Sequence, residues 1–361
     1  MLSVIQISTV IPPQKDGVGS SAIKIHKLLK QKKVISKILT TKFESNFNDD
    51  EFFYYLDDWS YKYIDFKLKK LRKDGAEIVI LHYPTPLLNR NIHIIDVIFC
   101  IVKHRYKFFL FLHEYASYSW KGKLLILLIC LFSKKILTPD RVNFLSLSKI
   151  KFLKKRINYL PIGSTFTDDE MDYLNYNEIK KGDKLKVCYW GLIMKSKGIE
   201  NLVLELEKWE NEFFEFLVIG DLPHNYTSED LKIYEMIVQS KKFKFYGFLE
   251  NEELFKKLSE VDIVILPFED GVTERRGSFM LSMQLGKVVL TSRPRINITD
   301  LIDKKNVLFF DNVKEIREIL LMLLNSKESL KKISEEAKKW YNQYYNDEIF
   351  SNKLLDVLLE P

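Results

Sequence analysis

The 361-residue sequence is short of glycine (13) and proline (10), so long flexible linkers are not expected. Its three cysteines, Cys100, Cys130 and Cys188, stand far apart in apolar runs. That spacing excludes a disulfide frame and a thiolate metal site, and it suits a reducing cytosol. Of the six histidines, His26, His82, His93, His104 and His224 read as helical or loop residues with no shared spacing, so no metal cluster is expected. No apolar run reaches the roughly 20 residues of a spanning helix. The most apolar one, Leu124 to Phe132, reads as a buried helix, with shallow interfacial contact as the other reading. The start, Met1-Leu-Ser-Val-Ile-Gln-Ile, is strand-like and lacks the order of a signal peptide. Zinc-finger spacing and aromatic RNA-binding motifs are missing, so no nucleic-acid partner is expected.

What the chain does have is the balance of a folded protein: 46% hydrophobic and 29% charged residues. Its length suits two domains. The net charge of +7 fits nucleic acid, an anionic membrane surface or a phosphate-bearing small molecule. Bases are interleaved with acids along many helical stretches, such as Lys331 to Lys339, as on a solvated helix face.

Short apolar runs alternate with helical patterns. Val4 to Ile7, Ile78 to Leu81 and Phe108 to Leu112 read as buried parallel strands, with Ile136-Leu137 and Ile157 to Leu160 closing the sheet. Pro161-Ile-Gly163 breaks the rhythm, and Ser164 to Lys184 is polar and acidic-rich. The rhythm restarts with strands at Val187 to Trp190, Phe216 to Ile219, Phe243 to Tyr246, Val261 to Leu266 and Lys287 to Thr291. This predicts an α/β protein of two Rossmann-like parallel-sheet domains, 1–163 and 164–339. Ser329 to Leu359 is a long amphipathic helical pattern, and the helix at about 340–361 is expected to pack back on the first domain. In such sheets ligands meet the carboxyl ends of the strands, so the residues just after each strand carry the functional reading.

Four such segments stand out. Asp16-Gly17-Val-Gly19-Ser-Ser21 leads into a helix and offers backbone N–H groups to an anion or a sugar oxygen; the other reading is a tight strand-to-helix turn. It lacks the third glycine of a dinucleotide fingerprint. His113-Glu114 follows a buried strand, where an imidazole can donate to a phosphate or a sugar hydroxyl. Gly191-Leu-Ile-Met-Lys-Ser-Lys197-Gly198 places a lysine where it can pair with a pyrophosphate, without the order of a P-loop. Finally, Gly271-Val-Thr-Glu274-Arg275-Arg276-Gly277-Ser278 joins an apolar strand to a helix. Arginine forks bind phosphate in a bidentate way, which makes this the most informative segment.

Together with Leu160-Pro-Ile-Gly163, Val218-Ile-Gly220-Asp221 and Phe245-Tyr-Gly247-Phe248, these residues resemble the family-four type of retaining GT-B glycosyltransferases (glycosyl transferases group 1) over nearly the whole chain. The resemblance implies two Rossmann-like domains facing a central cleft, with an N-terminal acceptor domain and a C-terminal donor domain. It departs from the family at three places. Leu192 stands where the family has an arginine, and Thr273 and Leu281 stand where it has two glutamates seven residues apart. A branch of cell-surface sugar transferases is similar in having Asp-Gly-Val before Arg-Arg-Gly-Ser.

The resemblance implies transfer of a hexose-type sugar, with retention, from a nucleotide-diphosphate sugar to a glycan or lipid-linked glycan, in cell-surface polysaccharide or glycoconjugate synthesis. His113, Lys197, Arg275 and Arg276 are the expected catalytic residues. Gly17, Gly19, Gly191, Lys197, Gly220, Gly247, Gly271, Glu274, Gly277 and Ser278 are the expected donor-binding ones. No Asp-x-Asp motif is present, and the adjacent acids Asp49-Asp50, Asp57-Asp58 and Asp168-Asp169 lie away from strand ends, so no metal and no further cofactor are expected. A cytoplasmic protein with contact at the inner membrane face is expected, through the basic, aromatic stretches Tyr61 to Arg72 and Lys103 to Lys107. The same stretches also read as ordinary amphipathic helix. Two other functions stay open: a non-catalytic GT-B subunit that partners another glycosyltransferase, because the paired glutamates are missing, and another GT-B nucleotide-sugar enzyme such as an epimerase.

Overall fold

Continuous apolar runs that alternate with amphipathic helices build two all-parallel sheets. The computed structural model describes residues 2–12, 14, 16–42, 52–89, 92–172, 184–210, 213–223 and 226–360. Pro13, Asp49-Asp50, His224 and residues 173–183 of the acidic-rich segment lie outside them. The chain divides into two compact units, Met1–Thr167 with Asp347–Pro361, and Asp168–Asn346.

The first unit has seven strands: β1 (Ser3–Ile7), β2 (Ile35–Thr41), β3 (Phe53–Leu56), β4 (Ile78–Tyr83), β5 (Lys107–Leu112), β6 (Lys135–Thr138) and β7 (Ile157–Tyr159). Their order is β3-β2-β1-β4-β5-β6-β7. β2 and β3 are not among the strands expected from the sequence. The helices α1 (Gly17–Gln31), α2 (Tyr61–Lys73), α3 (His93–Lys103), α4 (Trp120–Phe132) and α5 (Arg141–Ser148) join them. Residues of α2, α3, α4 and α5 share a core under one face of the sheet, while α1 packs under the other.

The second unit repeats the plan. β8 (Leu185–Trp190), β9 (Phe214–Ile219), β10 (Phe243–Phe245), β11 (Ile263–Leu266), β12 (Val288–Ser292) and β13 (Leu308–Phe310) lie in the order β10-β9-β8-β11-β12-β13. Here the helices are α6 (Asp168–Asp172), α7 (Ile199–Leu206), α8 (Ser228–Gln239), α9 (Asn251–Ser259), α10 (Gly277–Gln284), α11 (Ile316–Leu324) and α12 (Lys327–Tyr345). The helical pattern over Ser329 to Leu359 is two helices, since α12 ends at Tyr345, Asn346 is extended, and α13 (Asp347–Leu359) follows it. α13 returns to the first unit, where Phe350, Leu354 and Leu358 join Ile25, Leu28 and Leu29 of α1.

One buried side chain ties the two pieces of the first unit together. Lys24 of α1 is 1% exposed. Its Nζ donates to the carbonyls of Ser164 (2.7 Å) and Phe166 (3.1 Å) and pairs with Asp347 Oδ1 at 2.7 Å. A buried ammonium is stable only when partners replace its lost water, and these three do so.

α4 differs from its sequence reading. Its inner side, Ile126, Ile129 and Cys130, is buried, but Leu124, Leu128, Leu131 and Phe132 stand at the surface. A helix that is apolar all round is ordinarily covered on every side, but here only one side of α4 meets the core.

Candidate functional site

In each sheet the strand order reverses at one point, and crevices form there outside the carboxyl ends. In the second unit that point lies between β8 and β11. The segment after β8 is Gly191 to Gly198, and the segment after β11 is Pro267 to Ser278. The structure therefore brings two of the four expected segments to one edge.

Their backbones touch. Gly198 has φ +70°, and a Cβ there would lie 1.8 Å from the carbonyl oxygen of Pro267. Only glycine permits both the conformation and the approach. A Cβ on Gly220 would likewise fall 1.9 Å from the Gly191 oxygen, and the Gly220 N–H donates to the Gly247 carbonyl at 2.8 Å. The loops after β8, β9 and β10 are thus stacked backbone on backbone. The buried Tyr189 hydroxyl fastens the first of them, donating to the Leu192 carbonyl at 2.7 Å. Burial pushes the Tyr189 phenol well above its ordinary value, so it remains a donor at neutral pH.

Two cations converge on one ring. The Arg276 guanidinium lies 4.7 Å from the centre of Phe268, and Lys197 Nζ lies 5.5 Å from it. A ring face attracts cations electrostatically and holds their stems apart from water. Arg276 is also paired with Asp270 and is largely buried, whereas Arg275 is exposed. The two arginines therefore differ in kind. Lys197 ends a short 3-10 turn (Lys195–Lys197), and α7 begins only after Gly198. Ser278 faces Gly191, its Oγ 3.7 Å from where a Cβ on that glycine would stand. Gly271 packs against the Arg293 carbonyl, 2.4 Å from a Cβ built there, and nothing comes within 4 Å of one on Gly247 or Gly277.

Glu274 has a different setting from the arginines beside it. It is buried, and its Oε1 accepts from the Tyr345 hydroxyl of α12 at 3.3 Å. Of the two positions where the family has glutamates, Leu281 is buried in α10, while the Thr273 hydroxyl is buried with no hydrogen-bond partner among the described residues. Phe268 and Tyr189 were missed in the sequence because an apolar run hides which of its aromatics ends beside a charge.

In the first unit the reversal lies between β1 and β4. There Thr9 and Thr85 share a hydrogen bond of 2.7 Å between their hydroxyls, and Thr85 Oγ1 also accepts the Thr9 N–H at 3.0 Å. The Asp16–Ser21 segment is not an open loop. α1 already begins at Gly17, and the Asp16 carboxylate caps it, accepting the Gly19 N–H at 2.7 Å. Burial raises the Asp16 carboxyl, and the N–H groups of Gly19 and Val18 pull it back. These N–H groups are engaged by the protein itself. Gly19 is needed because a Cβ would fall 2.2 Å from the Val10 oxygen, while Gly17 has open space around it.

His113 follows β5 and is nearly buried. Its Nε2 lies 3.2 Å from Nδ1 of His82, whose Nε2 lies 2.9 Å from Gln6 Oε1. Gln6 Nε2 donates to Ser36 Oγ at 3.3 Å, and His26 Nδ1 lies 3.0 Å from the same hydroxyl. His82 is therefore a strand residue with a histidine partner, not one of several unrelated histidines. The pair arises because β4 and β5 run side by side, His82 opposite Phe111. Asn143 holds the loop after His113, accepting the N–H groups of Tyr115 (2.9 Å) and Ala116 (3.0 Å) and donating to the His113 carbonyl (3.1 Å). Among the described residues no group of three or more His, Cys, Asp or Glu side chains could hold a metal ion.

Three comparisons with known proteins bear on this geometry. The sequence matches none of the curated proteins. Solved structures of similar fold cover the whole chain. One is a glycosyltransferase from Rickettsia africae ESF-5, at 14% identity and a TM-score of 0.75 over 100% of this chain and 99% of that one. Another is Anabaena Alr3699/HepE in complex with UDP and glucose, at 11% identity and a TM-score of 0.71 over 100% of both chains. A third is the UDP-GlcNAc 2-epimerase from Neisseria meningitidis bound to UDP-GlcNAc, at 14% identity and a TM-score of 0.62 over 100% of both. Residues 175–340, nearly all of the second unit, match the family model described as glycosyl transferases group 1, and the chain as a whole has the two-domain GT-B fold.

Proposed function

We propose that this protein is a glycosyltransferase that moves a hexose-type sugar from a nucleoside diphosphate sugar, held by the second unit, to a glycan acceptor engaged by the first. The observation that carries this reading is the convergence of Lys197 and Arg276 on Phe268 at the point of strand reversal. The match of residues 175–340 to glycosyl transferases group 1 supports the reaction class. UDP in the similar Anabaena HepE structure supports a nucleoside diphosphate as the donor's leaving group.

In the reaction the bond between the sugar's C1 and the diphosphate oxygen breaks, and its electron pair leaves with the diphosphate. A hydroxyl oxygen of the acceptor forms the new bond to C1, and its proton passes to the departing diphosphate oxygen. Fixed cations aimed at the departing oxygen stabilise charge as it develops. Lys197 and Arg276 would serve in that role without a divalent metal, and Ser278 and the N–H groups beside it would bind diphosphate oxygens. His113 would hydrogen-bond the sugar. Retention, the synthesis of cell-surface polysaccharide and a place at the inner membrane face belong to the same proposal.

A non-catalytic nucleotide-binding role is favoured by one observation: Leu281 is buried and apolar where the family glutamate would ionise. Titrating the protein with uridine, guanosine and adenosine diphosphates, with and without a chelator, tests both readings. A ligand at 100 times its dissociation constant adds about 2.7 kcal/mol of stability. Stabilisation by one diphosphate that persists with chelator, and sugar transfer from the matching nucleotide sugar, are expected. Stabilisation without transfer to any glycan would leave the binding role alone, and no response to any diphosphate would overturn both readings.

A further inference from the structure

The outer surface of α3 and α4 is apolar where a water-facing surface should be polar. On α4, Trp120 is 71% exposed and Leu124, Leu128, Leu131 and Phe132 are 50–56% exposed. They fall at spacings of three, four and eight, so they form one stripe along the helix. From Leu124 to Phe132 there is no charged residue at all. Ile92 at the cap of α3, with Ile95, Phe99 and Val102 on it, makes a second exposed stripe. α3 packs against both α2 and α4 on the same side of the sheet, and Phe99 meets Tyr61 of α2 with ring centres 5.8 Å apart. Scattered exposed apolar residues need no explanation, but stripes on two neighbouring helices do.

Charge identifies what covers them. α2 carries six basic residues against one acid, Asp65, and α4 carries Lys121 and Lys123 with no acid. The acids on α2 and α3 are locally engaged: Asp65 by Lys103 at 2.9 Å, Asp96 by His93 at 3.2 Å. Lys121 lies over the exposed Trp120 ring, 5.6 Å from its centre. A second copy seated on this face about a two-fold axis would set lysines against lysines. An anionic bilayer meets both features, since its headgroups pair with ammonium groups and its acyl boundary takes up leucine, phenylalanine and tryptophan. No helix among the described residues is long and apolar enough to cross a membrane, so the contact is interfacial.

We propose that the outer face of α3 and α4 docks on an anionic lipid bilayer, with the two stripes entering the headgroup layer and the lysines of α2 and α4 pairing with lipid phosphates. This deepens the membrane-face part of the function proposed above, and it does not depend on which donor the second unit binds.

The test is sedimentation of the full chain with vesicles of phosphatidylcholine alone or with about one-third phosphatidylglycerol. Binding is expected to the anionic vesicles and to fall with salt. Burying one leucine is worth about 1.5–3 kcal/mol, so Leu128→Glu should weaken partitioning at least about tenfold, and melting temperature shows whether it still folds. A second readout uses brominated acyl chains, which should quench tryptophan emission in the wild type and less in Trp120→Phe. Failure to bind anionic vesicles, or equal partitioning of Leu128→Glu at an unchanged melting temperature, overturns the proposal. So does self-association in solution that Leu128→Glu abolishes, because the face would then be a contact between copies.

Discussion

His82 and His113 share one hydrogen bond, 3.2 Å from Nδ1 of the first ring to Nε2 of the second. Burial, and next the His113 ring, hold the His82 imidazole well below its ordinary value, so His82 is neutral. A neutral ring has one N–H, and the Gln6 Oε1 partner places it on Nε2. His82 Nδ1 then accepts, and the Nε2–H of His113 donates to it. His82 thereby sets which nitrogen of His113 carries the proton.

A measurable pH dependence follows. The unfolded chain protonates His82 near pH 6.5, and the fold does not, so stability falls as pH drops below 6.5, by about 1.4 kcal/mol per unit from this group. His82→Gln should lose that part of the slope between pH 6.5 and 5. Parallel stability curves for the two proteins would show that His82 is protonated in the fold.

The two arginines should separate. Arg276→Ala removes a largely buried guanidinium that lies over Phe268, and transfer should fall about a hundredfold, as when one stabilising donor is removed elsewhere. Arg275 is exposed, and Arg275→Ala should change stability by less than about 0.5 kcal/mol and leave transfer near wild type. Arg276→Lys should recover only part, for want of the planar fork. Initial rates and melting temperatures of the three variants decide it. Equal rates for all of them would put the leaving-group site elsewhere.

Lys287 gives a stability effect of its own. Burial lowers its ammonium to about 8, partly opposed by Asp262. Its Nζ donates to the carbonyls of Val261 (3.0 Å) and Ser259 (3.2 Å). Because the folded value is below the unfolded one, this group costs stability below pH 8, and the cost fades as pH rises toward 10.5. Lys287→Met should therefore gain most, or lose least, relative to wild type at pH 7, and that relative gain should shrink between pH 8 and 10.5. Denaturant melts across that range test it, and a difference independent of pH would refute the buried-charge account.

Lys24 should be expensive to remove. Lys24→Met leaves Asp347 buried beside two carbonyls that have lost their donor, a change of about 3–5 kcal/mol for a broken buried pair. Changing Asp347 to leucine as well should recover part of it. Chemical denaturation of the single and double variants measures the coupling, and additive losses would mean that the pair does not act as a unit.

Much of the fold is legible in the sequence because parallel strands buried on both sides read as unbroken apolar runs, as in Ile78 to Leu81 and Phe216 to Ile219. β2 escapes that test, since Ile35-Ser-Lys-Ile-Leu-Thr-Thr41 mixes polar residues into a strand with an exposed start. β3 is a four-residue edge strand and β13 has three residues, too short to show any period. The start of α1 is hidden by two glycines, which ordinarily mark a loop, while the cap that begins the helix is Asp16. Around the donor segments the sequence shows which residues follow which strands but not depth. It cannot rank Arg275 against Arg276, or show that Glu274 meets Tyr345 from a helix some 70 positions later.

The tie between Lys24 and Asp347 has a consequence for how the protein is made. The first unit is split along the chain, and its second piece follows the whole of the second unit. At about 5–20 residues per second, a ribosome needs roughly 10–35 seconds to pass from residue 168 to residue 346. Throughout that interval Lys24 has neither its carboxylate nor the covering of α13, and the apolar surface that Phe350, Leu354 and Leu358 cover beside Ile25, Leu28 and Leu29 of α1 stays bare. The second unit, continuous in sequence, can close first. Maturation of the nascent chain should thus run from the middle outward, with the earliest-made residues the last to be sealed. Released chains truncated after residue 346 should show a protease-resistant second unit beside a first unit that is still cut.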